Sequence, residues 1–232
     1  CIDLEDSVPA DQKDAARKYM LTALAELERE MTAVRINGLH TADGLADLLA
    51  LRNADHAPSL VFLPMVESPS EIEIAHNILG GKVDGLIPLI ETVKGLRAGD
   101  AIAASKGVTA MMFGGGDFSA EIGTKLEWEP LLAARGAFIM CCASAQVMAI
   151  DVPYIDMSNE DGLAEECTRA RAMGFRAKAA IHPRQIAAIQ AAMRPSEAEI
   201  IEAREALAAY DLAGGKAISH NGRMLEAPVM ER

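Results

Sequence analysis

Two acidic residues stand directly behind apolar runs. Glu91 follows the strand-like stretch in GLIPLIETVKGL, and Asp117 ends the glycine run of MMFGGGDFSAEIG. A carboxylate at a dry sheet end is costly to keep ionised without a counter-charge. Three consecutive glycines, Gly114, Gly115 and Gly116, let the backbone approach a ligand and offer N–H groups to an oxyanion. One glutamate and one aspartate from neighbouring strands, with water and substrate oxygens completing an octahedron, suit Mg²⁺. The pattern predicts metal ligation by Glu91 and Asp117, with Gly115, Gly116 and Asp117 also facing a substrate. Arg35, in AVRING, ends another apolar run, where a buried guanidinium needs a partner. Two readings of it stand. It neutralises Glu5 or Asp6 of IDLEDSVP, or it lies beside the metal and stabilises a developing enolate. Asp6, Glu67 and Asn37 also read as simple helix caps, and His182 before Pro183 as a capping or orienting residue rather than a base. Cys141 and Cys142 sit in an apolar helical stretch and read as core thiols.

These side chains need elements to carry them. Short apolar runs at Cys1–Leu4, Thr32–Ile36, Leu60–Met65, Gly85–Ile90, Val108–Phe113, Ala149–Tyr154 and Arg176–Ile181 read as seven strands buried on both faces. Helix formers fill the intervals, as in Ala10–Glu30 and in Pro69–Leu79 with its leading proline. Strand and helix alternate at about 25 to 40 residues, which predicts a parallel α/β sheet. A closed (β/α)8 TIM barrel and an open doubly wound sheet compete. Seven units are one short of the barrel number, so the barrel reading places the first βα unit ahead of Cys1, outside this sequence. No GxGxxG follows the first four strands, as an open nucleotide-binding sheet would usually show. After the seventh strand come helices at Pro183–Met193 and Pro195–Leu212. Gly214–Gly215 then releases a tail with a hairpin signal at Asn221–Gly222. The expected organisation is a catalytic barrel over 1–213 and a C-terminal lid or arm over 214–232.

In such a barrel the polar residues after each strand share one mouth. Composition narrows what that mouth handles. The chain has 232 residues, half of them hydrophobic, and 22 Lys and Arg against 34 Asp and Glu, a formal charge of −12. That balance argues against nucleic acid as a partner, while a local cation cluster can still hold a small anion. No apolar run approaches the roughly 20 residues of a membrane span. The four cysteines, Cys1, Cys141, Cys142 and Cys167, lack metal-ligand spacing and suit a reducing, cytoplasmic setting.

IDLEDSVP, VRING, LIETVKGL, FGGGDFSAEIG and KAAIHPRQI, in this order and at strand ends, resemble the citrate lyase β-subunit-like branch of the HpcH/HpaI aldolase superfamily. GRMLEAP in the tail resembles that family's lid motif. The resemblance implies a Mg²⁺-dependent barrel that breaks or forms a carbon–carbon bond in a 3-hydroxyacyl-CoA thioester such as citryl-, malyl- or citramalyl-CoA. The partners it implies are an acyl-CoA thioester, a 2-oxo acid and further copies of the chain in a homotrimer or hexamer. Carried over, Glu91 and Asp117 ligate Mg²⁺, Arg35 faces the thioester or carboxylate, and Glu5 and Asp6 support Arg35 and metal-bound water. Glu226 falls where many relatives have Asp in the lid, and serves as acid or base to a neighbouring subunit. The family's leading LFVP-like segment is absent from this sequence, and part of the CoA contact would go with it. A CoA-independent pyruvate-type aldolase and a metal-binding subunit active only within a larger complex remain as alternatives.

Overall fold

The structure, a computed structural model, describes residues 1–230. Seven parallel strands, β1 (Ile2–Asp3), β2 (Ala33–Arg35), β3 (Leu60–Leu63), β4 (Gly85–Ile90), β5 (Ala110–Phe113), β6 (Met148–Asp151) and β7 (Ala177–Lys178), form one sheet. They pair strictly in chain order. A doubly wound sheet reverses its order at a switch point. No reversal occurs here, so the wall is singly wound and the doubly wound alternative is set aside.

Side-chain parity divides the wall into two faces. Ile87, Ala110 and Ile150 pack with Leu60, Phe62, Met112 and Ala177 on the inner face. Val34, Val61, Leu63, Ile90, Met111, Phe113 and Ala149 point the other way, into the larger core beneath the helices. The inner face curls. In a flat sheet β1 and β4 would lie roughly 14 Å apart, yet the charge of Glu5, just beyond β1, acts on Glu91, just beyond β4.

Among the helices, α1 (Lys13–Glu26), α2 (Ala42–Asn53), α3 (Pro69–Leu79), α4 (Val93–Arg97), α5 (Gly99–Ala103), α6 (Gly115–Glu121), α7 (Trp128–Ser144), α8 (Glu160–Met173) and α9 (Pro183–Met193) connect or follow the strands. Pro69–Leu79 and Pro183–Met193 coincide with the expected helices, each opened by proline at its start. The expected Ala10–Glu30 helix is shorter, with 3-10 turns at Ala10–Gln12 and Arg29–Met31 flanking α1. Most strands are also shorter than their apolar runs. Met65 adopts a left-handed backbone, φ 55, which ends β3 early, and Pro153 cannot donate to a ladder beyond β6.

The outer face carries a charge cluster of its own, between β6, β7, α7 and α8. Asp151, 0 % exposed, accepts from Arg135 Nε at 3.0 Å and Lys178 Nζ at 2.7 Å. Lys178 also donates to the Val152 carbonyl at 2.7 Å and to Glu166 at 2.6 Å, so its three protons are matched. The Arg135 guanidinium lies over the Trp128 ring at 4.5 Å and the Phe113 ring at 5.6 Å. Its Nη1 has no oxygen partner. Cys141 and Cys142 lie in this helical layer as expected core thiols, pushed up by burial to about 11 and about 12.

The chain ends in α10 (Glu197–Leu212), β8 (Ile218–His220), β9 (Arg223–Leu225) and α11 (Ala227–Met230). Ser196 and Glu199 form a capping box at the start of α10, two residues after the expected Pro195 start. Asn221 and Gly222, φ 48 and 77, make the expected hairpin turn between β8 and β9. Arg223 pairs with Glu202 at 2.9 Å, which ties the hairpin to α10. The expected arm runs to 232, and its last two residues lie outside the described ones.

Candidate active site

The carboxyl ends of β1, β2, β4 and β5 bring together most of the expected site. Asp3, Glu5, Arg35 and Glu91 share the inner parity of their strands. Arg35 donates through Nε to Asp3 Oδ1 at 2.7 Å and through Nη2 to Asp3 Oδ2 at 2.6 Å, a bidentate pair. Its Nη1 lies 2.7 Å from Glu5 Oε2, off the N–H direction, so that contact is ionic without a hydrogen bond. Asp6 is exposed and reaches the same nitrogen at 3.4 Å. Arg35 therefore pairs with Glu5 and Asp6, and its main partner is Asp3.

Glu91 is 6 % exposed, and its Oε2 accepts the Met65 N–H at 2.7 Å. The left-handed backbone at Met65 sits where that N–H meets the carboxylate. Gly114 makes room on the other side. A Cβ there would lie 2.1 Å from Glu91 Cγ and 2.6 Å from Oε1, so only glycine lets β5 pass this close. Gly114 donates its N–H to the Ile90 carbonyl at 2.9 Å. The glycine run is thus a helix start rather than a ligand-wrapping loop: Gly114 caps α6, and Gly115, Gly116 and Asp117 form its first turn. Asp117 is exposed at the rim, and its charge acts on Glu91.

Burial dominates the titration of the inner acids. It pushes Glu91 up from 4.5 to about 7, opposed by the Met65 hydrogen bond and reinforced by the charges of Glu5 and Asp117. Burial likewise raises Glu5 to about 7, against the pull of Arg35 and with the push of Asp6. Asp3 moves the other way. Burial opposes its ionisation, but the Arg35 hydrogen bonds and the Glu5 N–H prevail and hold it at about 2. Arg35 is raised, the attraction of its acids exceeding the cost of its burial.

Asp3, Glu5 and Asp6 lie within ion-pair reach of Arg35, and Glu91 feels the charges of Glu5, Asp117 and Arg35, so one guanidinium stands against an excess of carboxylates on this rim. Lys13, beside β1, spends its ammonium on the carbonyls of Leu4 and Glu5 at 2.8 and 2.7 Å. Such an excess of hard oxygen donors fits a divalent cation of the Mg²⁺ type. Among the described residues no group of three or more His, Cys, Asp or Glu side chains is arranged to cage a metal. The donor set fits an ion held by two carboxylates, with water and substrate supplying the rest.

Other expected residues stand elsewhere. His182 caps α9, its Nδ1 accepting the Arg184 N–H at 3.1 Å. Asn37, Glu67 and Asp6 are not helix caps. Thr41 caps α2, Ser68 caps α3, and Pro9 precedes the first turn after β1. Asn37 bonds the buried Asp47 through its backbone N–H at 2.9 Å and its side chain at 2.6 Å, while Glu67 takes Thr92 and Lys94. Glu226 is exposed after β9, with no side-chain bond to the rim of its own chain among those described. Asp3 and Met65 are not among the expected site residues, and Gly114, expected to let the backbone approach a ligand, instead makes room for Glu91. For Asp3 a signal exists, since it shares the parity of Glu5 on the same strand; for Met65 the residue type gives none.

A singly wound parallel α/β wall with an acid-rich inner rim at its strand ends is the setting of a metal-assisted enzyme site. Residues 1–183 match the family model for HpcH/HpaI aldolase/citrate lyase, and the chain belongs to that family. It is 32 % identical over 255 residues to a mitochondrial citramalyl-CoA lyase of Rattus norvegicus, covering 100 % of this chain and 75 % of that protein. A citrate lyase subunit beta-like protein of Mycobacterium tuberculosis is 34 % identical over 237 residues, covering 99 % of this chain and 82 % of its own. The solved structure of protein CitE from Mycobacterium tuberculosis in complex with magnesium, acetoacetate and coenzyme A superposes with a TM-score of 0.84. It is 31 % identical, covering 99 % of this chain and 84 % of that one.

Proposed function

We propose that this chain is a Mg²⁺-dependent carbon–carbon lyase that cleaves a 3-hydroxyacyl-CoA thioester of the citryl, malyl or citramalyl type into an acyl-CoA and a 2-oxo acid, or condenses them in reverse. The observation that carries this is the inner rim, where Arg35 pairs with three carboxylates and a fourth, the buried Glu91, feels the charge of Asp117 at the end of the next strand. Glu91 and Asp117 would hold the ion. Mg²⁺, when bound, would supply Lewis acidity and a template for the oxygens of the 2-oxo acid. The relatives lend support, one being a citramalyl-CoA lyase by name and one a structure with magnesium, acetoacetate and coenzyme A.

This chain's own residues then divide the work. Glu5, enclosed and titrating near 7, takes the hydroxyl proton as the carbon–carbon bond breaks, with Asp6 beside it. The hydroxyl oxygen becomes the carbonyl of the 2-oxo acid. The electron pair of the broken bond passes to the α-carbon of the thioester, as its enolate. Arg35, locked in orientation by Asp3, faces that charge, and the first-turn N–H groups at Gly115 and Gly116 lie beside Asp117 to receive substrate oxygen. Protonation of the enolate completes the acyl-CoA. Glu226 serves as an alternative acid or base, delivered by the arm of a neighbouring subunit.

The proposal includes the assembly. The outer edges of β1 and β7 have no strand partner among the described residues, and one further parallel strand between them would close an eight-stranded barrel. Residues 1–213 form the barrel body and 214–232 the arm. Helix α10 buries none of its 16 residues, which supports burial against further copies in a homotrimer or hexamer. The four cysteines are all free, in keeping with a cytoplasmic site; among the described residues no helix is long and apolar enough to cross a membrane.

The test is a panel of 3-hydroxyacyl-CoA thioesters offered to the purified protein with and without Mg²⁺. Release of acyl-CoA and 2-oxo acid only after Mg²⁺ is added is the expected result. Cleavage of free 4-hydroxy-2-oxo acids with no turnover of thioesters would replace this reading with a CoA-independent aldolase. Turnover only after an acyl-carrier partner is supplied would make the chain a subunit of a larger complex.

A further inference from the structure

Two carboxylates that share a rim repel each other when no cation lies between them, and the charge of Asp117 already opposes ionisation of Glu91. Their separation must be held by the protein itself. The β4–β5 ladder and the Gly114 N–H on the Ile90 carbonyl fix the strand ends, and Gly114 then opens the helix that carries Asp117. A second tie comes from the other end of that helix. Glu121, the last residue of α6, lies one turn beyond Asp117 on the same side of that helix. Its Oε2 accepts the N–H of Val93 at 2.6 Å, and Val93 stands two residues after Glu91.

The intervening residue is fixed as well. Thr92 Oγ1 donates to Glu67 Oε1 at 3.0 Å and accepts the Gly95 N–H at 3.0 Å. Glu91 is held by Met65 on its far side. The path from Glu91 through Thr92 and Val93 to Glu121, then back one helical turn to Asp117, closes a ring. Glu121 itself is exposed and touches neither Glu91 nor Asp117 by any hydrogen bond described.

We propose that Glu121 is a positioning residue: through the Val93 N–H it sets the spacing of Glu91 and Asp117 before a cation arrives. The proposal rests on the metal-site reading given above. The competing account is that Glu121 merely caps α4, whose first turn is already served by the Thr92 side chain. A cap affects Val93 alone. A positioning residue also steadies Glu91, and hence the Met65 N–H bonded to it.

The experiment uses the full chain with Glu121→Ala and with Glu121→Gln, which keeps an acceptor oxygen. In metal-free protein, amide hydrogen exchange is read at Val93 and at Met65. Glu121→Ala should speed exchange at both by about tenfold, and Glu121→Gln should stay within about threefold of the parent. Calorimetric titration with Mg²⁺ alone should then show an affinity about tenfold lower for Glu121→Ala and little changed for Glu121→Gln. An unchanged Met65 amide in Glu121→Ala reduces Glu121 to a cap and overturns the proposal. Equal losses in both variants assign the effect to charge rather than to the hydrogen bond, and overturn it too. Should the parent bind no Mg²⁺, the metal-site reading fails separately, and the Met65 amide still decides the role of Glu121.

Discussion

The molecule holds two charge clusters at the ends of its strands, and they are built on opposite principles. Arg135, Asp151, Lys178 and Glu166 lie on the outer face, two cations against two anions, with Asp151 and the Lys178 ammonium satisfied on every side. On the inner rim Asp3, Glu5 and Asp6 share Arg35, with Glu91 and Asp117 at the ends of β4 and β5, and Glu5 and Glu91 are raised toward neutrality. A balanced set pins helices to a sheet and carries no excess charge for an ion to neutralise, although Arg135 Nη1 keeps no oxygen partner. An unbalanced set is costly to assemble and stands ready for a cation. Burial does not distinguish them, since Glu91 and Lys178 are almost equally hidden; the difference lies in charge balance and in side-chain parity.

The largest expected effect falls on the unbalanced cluster. Glu91→Gln and Asp117→Asn should each lower Mg²⁺-dependent turnover by at least about a hundredfold, with the circular dichroism of the folded chain retained. Unimpaired activity in either variant would remove the metal assignment and, with it, the functional half of the contrast. The balanced cluster should respond in the opposite way. Asp151→Ala strands Lys178 and Arg135 without their shared anion and should cost about 3–5 kcal/mol in urea unfolding. A loss under about 1 kcal/mol would show that the quartet does not pin α7 and α8.

The pH response sharpens the contrast further. Glu5 and Glu91 are raised from 4.5 to about 7, so between those values the folded protein keeps protons that the unfolded chain has released. Their contribution to stability therefore falls as pH rises through that window, and the melting temperature of metal-free protein should reflect it. Glu91→Gln should flatten this slope, and an unaltered slope would contradict the burial argument. Asp3 has the opposite sign. Held at about 2 against 3.8, its contribution is present above 3.8 and is lost as pH falls through about 2. The smallest effect on stability belongs to Glu226→Ala, within about 0.5 kcal/mol because the side chain is exposed. Its turnover should fall more than its stability, and an equal loss of both would make Glu226 structural.

Much of the wall is legible in the residues. Gly85–Ile90 is apolar without interruption and coincides with β4, and the prolines at 69 and 183 mark helix starts that the structure keeps. Glu91, Asp117 and Arg35 stand out because a charge ends each apolar run. What the residues hide is partnership. Arg35 has three acids within reach of its type, and nothing short of strand register, Asp3 beside Arg35, singles out the bidentate partner. Asn37 has the composition of a cap and becomes the hydrogen-bonding mate of Asp47 because α2 starts later, at Thr41. Met65 carries no turn chemistry, so its left-handed backbone is imposed by packing at Glu91 rather than announced by its type.

The strict chain-order pairing of the strands bears on how this molecule forms. Every ladder described joins strands consecutive in the chain, so each pairing closes a loop of one crossover rather than of the whole chain, although such parallel pairings are still slower to form than hairpins. Because β4 and β5 are consecutive, one crossover through α4 and α5 and the first turn of α6 carry both Glu91 and Asp117, so the pair does not depend on the rest of the wall.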